Sequence, residues 1–538
     1  MLARLTTLSK QLAIYGLGDV ATSIASFLLL PVYVRYLSPA DYGVIGLLLT
    51  IEAVAKIAFR WGIDASFMRL WYDCTDQRAR QRLASTLFWF LAALNGALLL
   101  VALFAAPVIA RHLFGDVRYT TLLRLVLANT FVVGFYFIPF HVMRIQGESA
   151  RFISLTFTRS AGTLLLRLLF VIALDYGVLG VVLADLVITG LFTLLLSRWF
   201  VPLIRPVFSA SLLREALHFG LPRLPHGVAH QVIAVADRYI LTLFVSLREI
   251  GLYSVGASFG LAMKLFLSAF ENAWAPFYFA TMKEPDAQKT FRLVTTYGIA
   301  ILVLLAAGLA AISVDLVRLM TTPAYYEAAR VIPWIGLGVL CQGVYLLTSI
   351  GLNITKQTRY YPISTAVGAA TSVGMNLLLV PEFGALGAAW ANTVAYAVLA
   401  FTAMQFSQRF YPMDYEWGRI GRVAVAGLAA YGVARFALPR QMAPLPSFLL
   451  HGTTVVVVYP LLLLAFGFYH PAELAVVRRL ATRLRRRTAA APTDASTELA
   501  GEIVQAALPD EMIDAPEPDS PGADMAPVAS PPDAPSRR

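Results

Sequence analysis

Two lysines lie in stretches of sequence that are otherwise largely apolar. Lys56 and Lys264 are 208 residues apart, and apolar residues flank each of them. An ammonium group in a low-dielectric environment is costly unless it faces water, a counter-ion or an anionic ligand. Fixed cations in such a place can bind an anion through charge-assisted hydrogen bonds. We therefore expect Lys56 and Lys264 to line a polar cavity as anion-binding groups.

Two further charged residues lie close to the first lysine. Glu52, Lys56 and Arg60 recur at four-residue steps, so one face of a helix carries all three. This face should point away from lipid. For Lys56 two interpretations stay open: a cavity cation, or an ion pair in which Glu52 neutralises it. Arg60 is either a further cavity cation or an interfacial anchor.

The second lysine also has polar residues nearby in the sequence. Glu271 lies seven residues after Lys264 and is its candidate local partner. Arg223, His226 and His230 lie in a segment interrupted by two prolines, and a broken, polar helix start can line a pathway. The two histidines are one helical turn apart, but no third ligand accompanies them. We expect a cavity wall there and no metal.

The elements that must hold these residues are membrane-spanning helices. The 538-residue chain is 58% hydrophobic and 14% charged, with a mean hydropathy of +0.68, which is far more apolar than a globular domain. Apolar stretches of about twenty residues recur along it, and each can cross about 30 Å of hydrocarbon as a helix. We predict an all-α polytopic membrane protein with about fourteen transmembrane helices.

The net charge of +11 is explained by topology rather than by a nucleic-acid partner. Alternate connections between the predicted helices are rich in Lys and Arg, so the positive-inside rule places both termini in the cytoplasm. The two cysteines, Cys74 and Cys341, are far apart in the sequence and predict neither a disulfide nor a metal site.

The two halves of the chain repeat one another at an offset of 207 or 208 residues. The matched pairs include Ser38 with Ser246, Tyr119 with Tyr326, Arg151 with Arg359, and Gly177 with Gly384. Each copy has six predicted helices, so both copies enter the membrane from the same side. The repeats are therefore parallel and predict two six-helix lobes.

The chain divides into five predicted regions. The two lobes occupy residues 1–206 and 207–408, and two additional helices occupy residues 409–470. A basic juxtamembrane segment follows at residues 471–487. Residues 488–538 form an acidic tail rich in Pro and Ala, and this composition predicts cytoplasmic disorder.

The motifs that open the two halves resemble those of lipid-linked oligosaccharide flippases. Residues 37–43 read LSPADYG, residues 219–222 read FGLP and residues 249–254 read EIGLYS. These flippases belong to the multidrug/oligosaccharidyl-lipid/polysaccharide exporter (MOP) superfamily, and the resemblance covers roughly residues 12–406. It implies lobes that alternate between inward and outward openings. The implied substrate is an undecaprenyl-diphosphate-linked glycan, moved to the periplasmic leaflet of a bacterial inner membrane for O-antigen or exopolysaccharide synthesis.

Transport of this kind also needs coupling and gating groups. Asp19 is the candidate carboxylate for binding H⁺ or Na⁺, although the membrane potential could drive transport instead. It aligns with Arg223 as a hypothetical pair across the lobes, and ordinary polar packing is the alternative. Asp237 and Arg238 are either a gate pair or an anchor, and the resemblance favours the gate. Arg167 is a weaker cavity candidate because no charged residue aligns with it in the other half.

Three alternatives compete with a lipid-linked oligosaccharide flippase. A drug or metabolite exporter of the same fold would need carboxylates and aromatic residues for cationic substrates, whereas the deep positions here lean basic. A lipid II flippase differs only in the sugar. An enzyme would need a sizeable loop or paired carboxylates, which the short connections do not provide. We expect no cofactor, and membrane lipids and polysaccharide polymerase or export machinery are the candidate partners.

Overall fold

The computed structural model describes Phe27, residues 29–146, 148–439 and 442–470, and Glu473. Within this part of the chain the protein consists of helices and their connections, without a β-strand. The all-α prediction is confirmed. The described residues up to Leu463 belong to one compact unit, and residues 464–470 with Glu473 belong to a second.

The first half contains eight α-helices in the described residues. They are α1 (Leu30–Tyr36), α2 (Pro39–Ala58), α3 (Ile63–Asp73), α4 (Gln77–Phe114), α5 (Thr120–Val133), α6 (Phe137–Ile145), α7 (Ser149–Leu168) and α8 (Gly177–Phe200). Short 3₁₀ turns join α5 and α6 into one continuous span, and a π-helical turn extends α7 to Ala173.

After Phe200, the described residues form ten more α-helices. They are α9 (Ala210–Gly220), α10 (Leu224–Phe244), α11 (Leu247–Phe259), α12 (Leu261–Thr281), α13 (Ala287–Met320), α14 (Ile332–Thr348), α15 (Ile350–Ile354), α16 (Tyr360–Phe410), α17 (Trp417–Gly432) and α18 (Pro444–Ala465). A 3₁₀ helix, Pro323–Arg330, follows α13. Gly384 interrupts α16 with a φ of 54°, so this element contains two helices.

Nine helices of the described part are long and apolar enough to cross a membrane, or ten if the bent pair α11–α12 counts as one span. The predicted number of about fourteen stays a prediction. Most of the first predicted span, residues 12–37, lies outside the described residues. Helix α2 is 20 residues long but is not among the nine, because it carries three charged side chains, Asp41, Glu52 and Lys56.

Equivalent positions in the two halves have the same local structure. Ser38 caps α2 by accepting from the Asp41 N–H, and Ser246 caps α11 by accepting from the Glu249 N–H. Gly177 and Gly384, which are 207 residues apart, have φ angles of 53° and 54°. A side chain would strain both positions, because this left-handed region favours glycine. The lobe boundaries themselves stay predictions.

Helices α2 and α11 touch along their backbones near the capping serines. A Cβ added to Gly43 would overlap the carbonyl of Leu247, and a Cβ added to Gly251 would overlap the carbonyl of Pro39. We call Pro39, Gly43, Leu247 and Gly251 the capped contact, and the end of the protein that holds it the capped end. Small residues at these positions let the two halves approach closely.

A tyrosine of the second half adds a hydrogen bond at the capped end. The Tyr325 hydroxyl donates to the Leu37 carbonyl at 2.7 Å, and the rings of Tyr42 and Tyr325 pack edge to face at 5.9 Å. The two halves therefore meet here through backbone contact, a hydrogen bond and an aromatic pair. The predicted basic segment at 471–487, apart from Glu473, and the predicted tail at 488–538 lie outside the described residues.

Candidate functional site

Beyond the capped contact, α2 and α12 expose charged side chains. Lys56 lies thirteen residues after Gly43, and Lys264 lies thirteen residues after Gly251. This spacing puts both lysines about 20 Å along their helices from the contact. The side chains of Glu52 and Lys56 are 22% and 42% exposed, and Lys264 is exposed as well. The two repeat-related lysines are therefore equally far along the chain from the contact, and their equal depth in a membrane stays a prediction.

A bend precedes the second lysine. Helices α11 and α12 meet at Gly260 with an angle of 45°. A Cβ on Gly260 would lie 2.5 Å from Cγ2 of Ile335 on α14, so the bend fits against α14 because this residue has no side chain. Lys264 lies on the first turn after the bend. The bend therefore sets the course of the segment that carries Lys264.

The two lysines differ in their partners. The Lys56 ammonium forms a 2.6 Å ion pair with Glu52. The residue that corresponds to Glu52 in the second half is Gly260, 208 residues later. Within the described residues, no carboxylate oxygen lies within 4.0 Å of the Lys264 ammonium, and the charged side chains that act on it are Arg238 and Asp237. Both halves therefore have the lysine, whereas only the first half has the carboxylate that neutralises it at this position.

Glu271 is not the ion-pair partner that its spacing suggests. Its side chain is exposed, and in the part of the chain that the structure describes it forms no ion pair within 4.0 Å. The expectation that Glu271 neutralises Lys264 locally is therefore wrong. Glu271 instead contributes a separate negative charge on α12. This charge interacts electrostatically with the Tyr345 side chain.

Two histidines lie near Lys264. The charged neighbours of His230 are His226 and Lys264, and the two imidazole rings are 6.5 Å apart. Nδ1 of His226 is 3.1 Å from the Thr365 hydroxyl on α16. Across the described ranges, no group of three or more His, Cys, Asp or Glu side chains is arranged to hold a metal. We refer to Lys264, His226 and His230 as the basic cluster.

Asp237 and Arg238 do not form a direct ion pair with one another. Asp237 is only 3% exposed, and its carboxylate accepts hydrogen bonds from the Tyr253 hydroxyl and from the Arg238 N–H at 2.7 Å. The Arg238 guanidinium lies 5.8 Å from the centre of the Tyr253 ring. Tyr253 follows Gly251 by two residues, so this arrangement joins α10 to α11 beside the capped contact. The sequence analysis missed Tyr253, although it belongs to the EIGLYS motif.

Other predicted cavity cations are paired within the first half. Arg60 forms a 3.2 Å ion pair with Asp64. Arg167 donates to both carboxylate oxygens of Asp185, at 2.9 and 2.6 Å. The sequence analysis did not find Asp185 because that pairing joins two neighbouring helices, α7 and α8, whose relative register the sequence does not give. Arg167 is thus a neutralised side chain rather than a free cavity cation.

Two of the predicted coupling residues cannot be placed. Asp19 and the side chain of Arg223 lie outside the described residues, so their pairing stays a prediction.

Cys74, in the connection between α3 and α4, is half-buried, and burial raises the pKa of its thiol. A protonated thiol is a poor nucleophile. This residue therefore offers no catalytic chemistry.

Comparison with known proteins identifies the fold. A family model described as "Polysaccharide biosynthesis protein" matches residues 32–330. The solved structure of the lipid II flippase MurJ in an inward closed conformation is 14% identical, with a TM-score of 0.64, and the match covers 84% of this chain and 98% of that one. An inward-facing MATE family multidrug resistance transporter of the MOP superfamily is 15% identical, with a TM-score of 0.59 and coverage of 74% and 95%.

One curated relative is also similar in sequence. The uncharacterized membrane protein MJ1068 of Methanocaldococcus jannaschii is 25% identical over 206 residues, which are 36% of this chain. The matched region spans only 39% of the length of that relative. At these identities the solved structures show a shared fold. The prediction of a MOP superfamily fold is confirmed.

Proposed function

The chain belongs to the polysaccharide biosynthesis protein family, and from this we propose that it is a flippase for an undecaprenyl-diphosphate-linked oligosaccharide. It would carry this lipid from the cytoplasmic to the periplasmic leaflet of a bacterial inner membrane, where polysaccharide polymerase or export machinery would receive it. The protein would act as a transporter, and no bond of the substrate would be made or broken.

The basic cluster is the observation that carries this proposal. A diphosphate concentrates negative charge, and moving it through a low-dielectric region requires fixed cations and hydrogen-bond donors. Lys264 is exposed and has no carboxylate within 4.0 Å in the described residues, so its charge is available to a ligand. His230 interacts electrostatically with Lys264, and the His226 ring lies 6.5 Å from that of His230, so both imidazoles can supply further donors. The second half would therefore hold the headgroup.

The first half would play a different part in binding. Its three predicted cations, Lys56, Arg60 and Arg167, each have a carboxylate partner, so their charges are largely cancelled. Paired side chains can still donate hydrogen bonds to sugar hydroxyls. We propose that the first half contacts the glycan and the second half contacts the diphosphate.

Alternating access would follow from the capped contact. In this structure the two halves touch at the capped end, while Lys56 and Lys264 are exposed about 20 Å further along their helices. Release at the capped end would require separation of Gly43 from Leu247 and of Gly251 from Pro39. The Asp237–Tyr253 hydrogen bond would hold one side of this gate together. Of the candidate carboxylates, Asp19 and Glu271 would bind an H⁺ or Na⁺ during coupling, because Glu52 is already paired with Lys56.

Reconstituted flipping tests the proposal. The protein is placed in proteoliposomes with a fluorescent undecaprenyl-diphosphate oligosaccharide, and leaflet exchange is followed by quenching from outside. We expect the wild type to flip this lipid, Lys264→Met to reduce flipping by about tenfold to a hundredfold, and Lys264→Arg to retain most of it. If the wild-type protein does not exchange this lipid, the proposal fails.

Two other substrates are tested in the same vesicles. Lipid II shares the diphosphate and differs in the sugar, and the MurJ likeness motivates its inclusion. A cationic drug is the substrate class expected for a MATE-type exporter, and the exposed Glu271 could bind it. Faster exchange of lipid II would reassign the glycan, whereas drug transport without lipid exchange would overturn the flippase function.

A further inference from the structure

A cavity of about 970 Å³ lies away from the basic cluster. It is formed mainly by α13, α14, α17 and α18, together with the 3₁₀ helix that follows α13. Lys264, His226 and His230 do not line it. The cavity is therefore separate from the proposed substrate site, and it involves the two additional C-terminal helices.

One end of this cavity is strongly basic. Three arginines line it: Arg318 at the end of α13, Arg330 at the end of the 3₁₀ helix, and Arg435 after α17. Arg318 and Arg330 are exposed, and among the described residues neither has a carboxylate within 4.0 Å. This end lies at the capped end of the protein, because Tyr325, between Arg318 and Arg330, donates to Leu37.

The one carboxylate in the cavity wall is already engaged. Asp315 is buried, and its carboxylate lies 2.7 Å from Nδ1 of His451 on α18. The same nitrogen is 3.2 Å from the Ser447 hydroxyl. A hydrogen-bonded aspartate opposes an incoming anion less than a free one would. The basic end therefore presents arginines to a negatively charged group.

The remainder of the cavity is largely apolar. Val303, Ala306, Ala310 and Leu337 line it, and Leu428 on its rim is 72% exposed. The wall along α13 runs from Val303 to Arg318, fifteen residues or about 22 Å. This length is close to one leaflet, half of a bilayer about 40–45 Å thick with headgroups. Its shape and charge suit a molecule with an anionic head and an apolar chain.

We propose that this cavity binds an anionic phospholipid from the leaflet at the capped end. Its phosphate would accept hydrogen bonds from Arg318 and Arg330, because guanidinium groups match phosphate oxygens bidentately. One acyl chain would lie along the small side chains of α13. The lipid would bridge the second half and α17 without entering the basic cluster.

Lipid retention on purified protein tests this site independently of flipping. The protein is reconstituted in nanodiscs of phosphatidylcholine and phosphatidylglycerol in equal parts, extracted in mild detergent, and examined by native mass spectrometry. We expect the wild type to retain phosphatidylglycerol preferentially. The double variant Arg318→Gln and Arg330→Gln should lose that preference by about tenfold or more, because each lost charge-assisted hydrogen bond weakens binding substantially.

The repeat supplies a matched control. Arg111, at the end of α4, is the position 207 residues before Arg318, and neither it nor the nearby Arg118 lines the cavity. The double variant Arg111→Gln and Arg118→Gln also removes two positive charges and should retain the lipid. A third variant, Ala310→Trp, keeps the arginines and fills the apolar part of the cavity. It should reduce retention, and size-exclusion chromatography verifies folding of all three.

Two results would overturn the inference. One is equal retention of phosphatidylglycerol by the wild type and by the Arg318→Gln and Arg330→Gln variant. The other is displacement of phosphatidylglycerol by undecaprenyl phosphate at equal concentration, which would assign the cavity to the polyprenyl carrier. Neither result bears on whether the protein flips an oligosaccharide lipid.

Discussion

At the residue scale, the two halves carry a lysine at equivalent positions. In the described residues, only the lysine of the first half has a carboxylate partner. Lys56 is paired with Glu52 at 2.6 Å, while Gly260 occupies the corresponding position four residues before Lys264. An unpaired ammonium can bind an anion with its full charge, whereas a paired one must first give up its carboxylate. Lys264 is accordingly the residue on which headgroup binding should depend most.

Removal of the Lys264 charge should therefore disable transport. We expect Lys264→Met to reduce flipping by about tenfold to a hundredfold, the range for loss of one hydrogen bond to a charged group. Lys264→Arg should retain most activity because it keeps the charge. Flipping in proteoliposomes is the measurement, and full activity of Lys264→Met would contradict the role.

Removal of the first-half pair should have a much smaller effect. The double variant Glu52→Gln and Lys56→Met removes two opposite charges and leaves the net charge of the cavity unchanged. We expect its flipping rate to stay within about threefold of the wild type, as is typical when an ion pair contributes little net free energy. A loss as large as that of Lys264→Met would show that both lysines act as anion-binding groups.

The Asp237–Tyr253 hydrogen bond should contribute to stability. Tyr253→Phe leaves the buried carboxylate without its hydroxyl donor, at a cost of about 1–3 kcal/mol. The thermal unfolding midpoint in detergent should fall. Tyr239→Phe is the matched control, since its ring lies on α10, the helix that carries Asp237, and is 47% exposed. Equal midpoints for Tyr253→Phe and the control would contradict this assignment.

The residue pattern predicted local pairs better than distant ones. Glu52 and Lys56 are one helical turn apart, so their pairing was one of two interpretations open from the sequence. The partner of Arg167 lies on another helix and could not be read without the register of α7 against α8. Glu271 and Lys264 lie on the same helix, α12, but their seven-residue spacing separates them by about 10 Å along its axis, which is too far for a direct ion pair.

At the element scale, the approach of α2 and α11 rests on two glycines. A side chain on Gly251 would overlap the Pro39 carbonyl, and one on Gly43 would overlap the Leu247 carbonyl. Closure at the capped end therefore needs these positions to lack a Cβ. Gly384, which the repeat matches with Gly177, divides α16 into two helices.

Gly251→Leu should keep the capped end from closing. We expect the Ser254→Cys thiol to react faster in this variant with a thiol reagent added on the side of the membrane that the capped end faces, and flipping to fall. Gly374→Leu is the control, because a Cβ there has nothing within 4 Å. Unchanged cysteine reactivity in Gly251→Leu would contradict a gate at this contact.

At the scale of the whole molecule, the proposed transport cycle requires the two halves to separate at the capped end. Tyr42 and Tyr325 lie on opposite sides of that separation, with ring centres 5.9 Å apart. Their contact joins residues far apart in the sequence, so no local pattern predicts it. The parallel repeat predicted that two such halves exist, but the sequence did not predict which residues meet between them.

A reducible cross-link between these positions should stop transport. In a background with Cys74→Ser and Cys341→Ser, the variant Tyr42→Cys and Tyr325→Cys should lose flipping when cross-linked and regain it after reduction. Tyr42→Cys alone, treated in the same way, should remain active. Continued flipping by the cross-linked protein would exclude alternating access through this end.

The central claim is that this protein flips a diphosphate-linked oligosaccharide lipid by means of Lys264. The most direct measurement is mass spectrometry of undecaprenyl-linked lipids, with leaflet-selective labelling, in native cells depleted of the protein and supplied with wild type, Lys264→Met or Lys264→Arg. We predict that a finished oligosaccharide diphospholipid accumulates in the cytoplasmic leaflet on depletion and with Lys264→Met, but not with wild type or Lys264→Arg. Normal surface glycan without any accumulation on depletion would contradict the account.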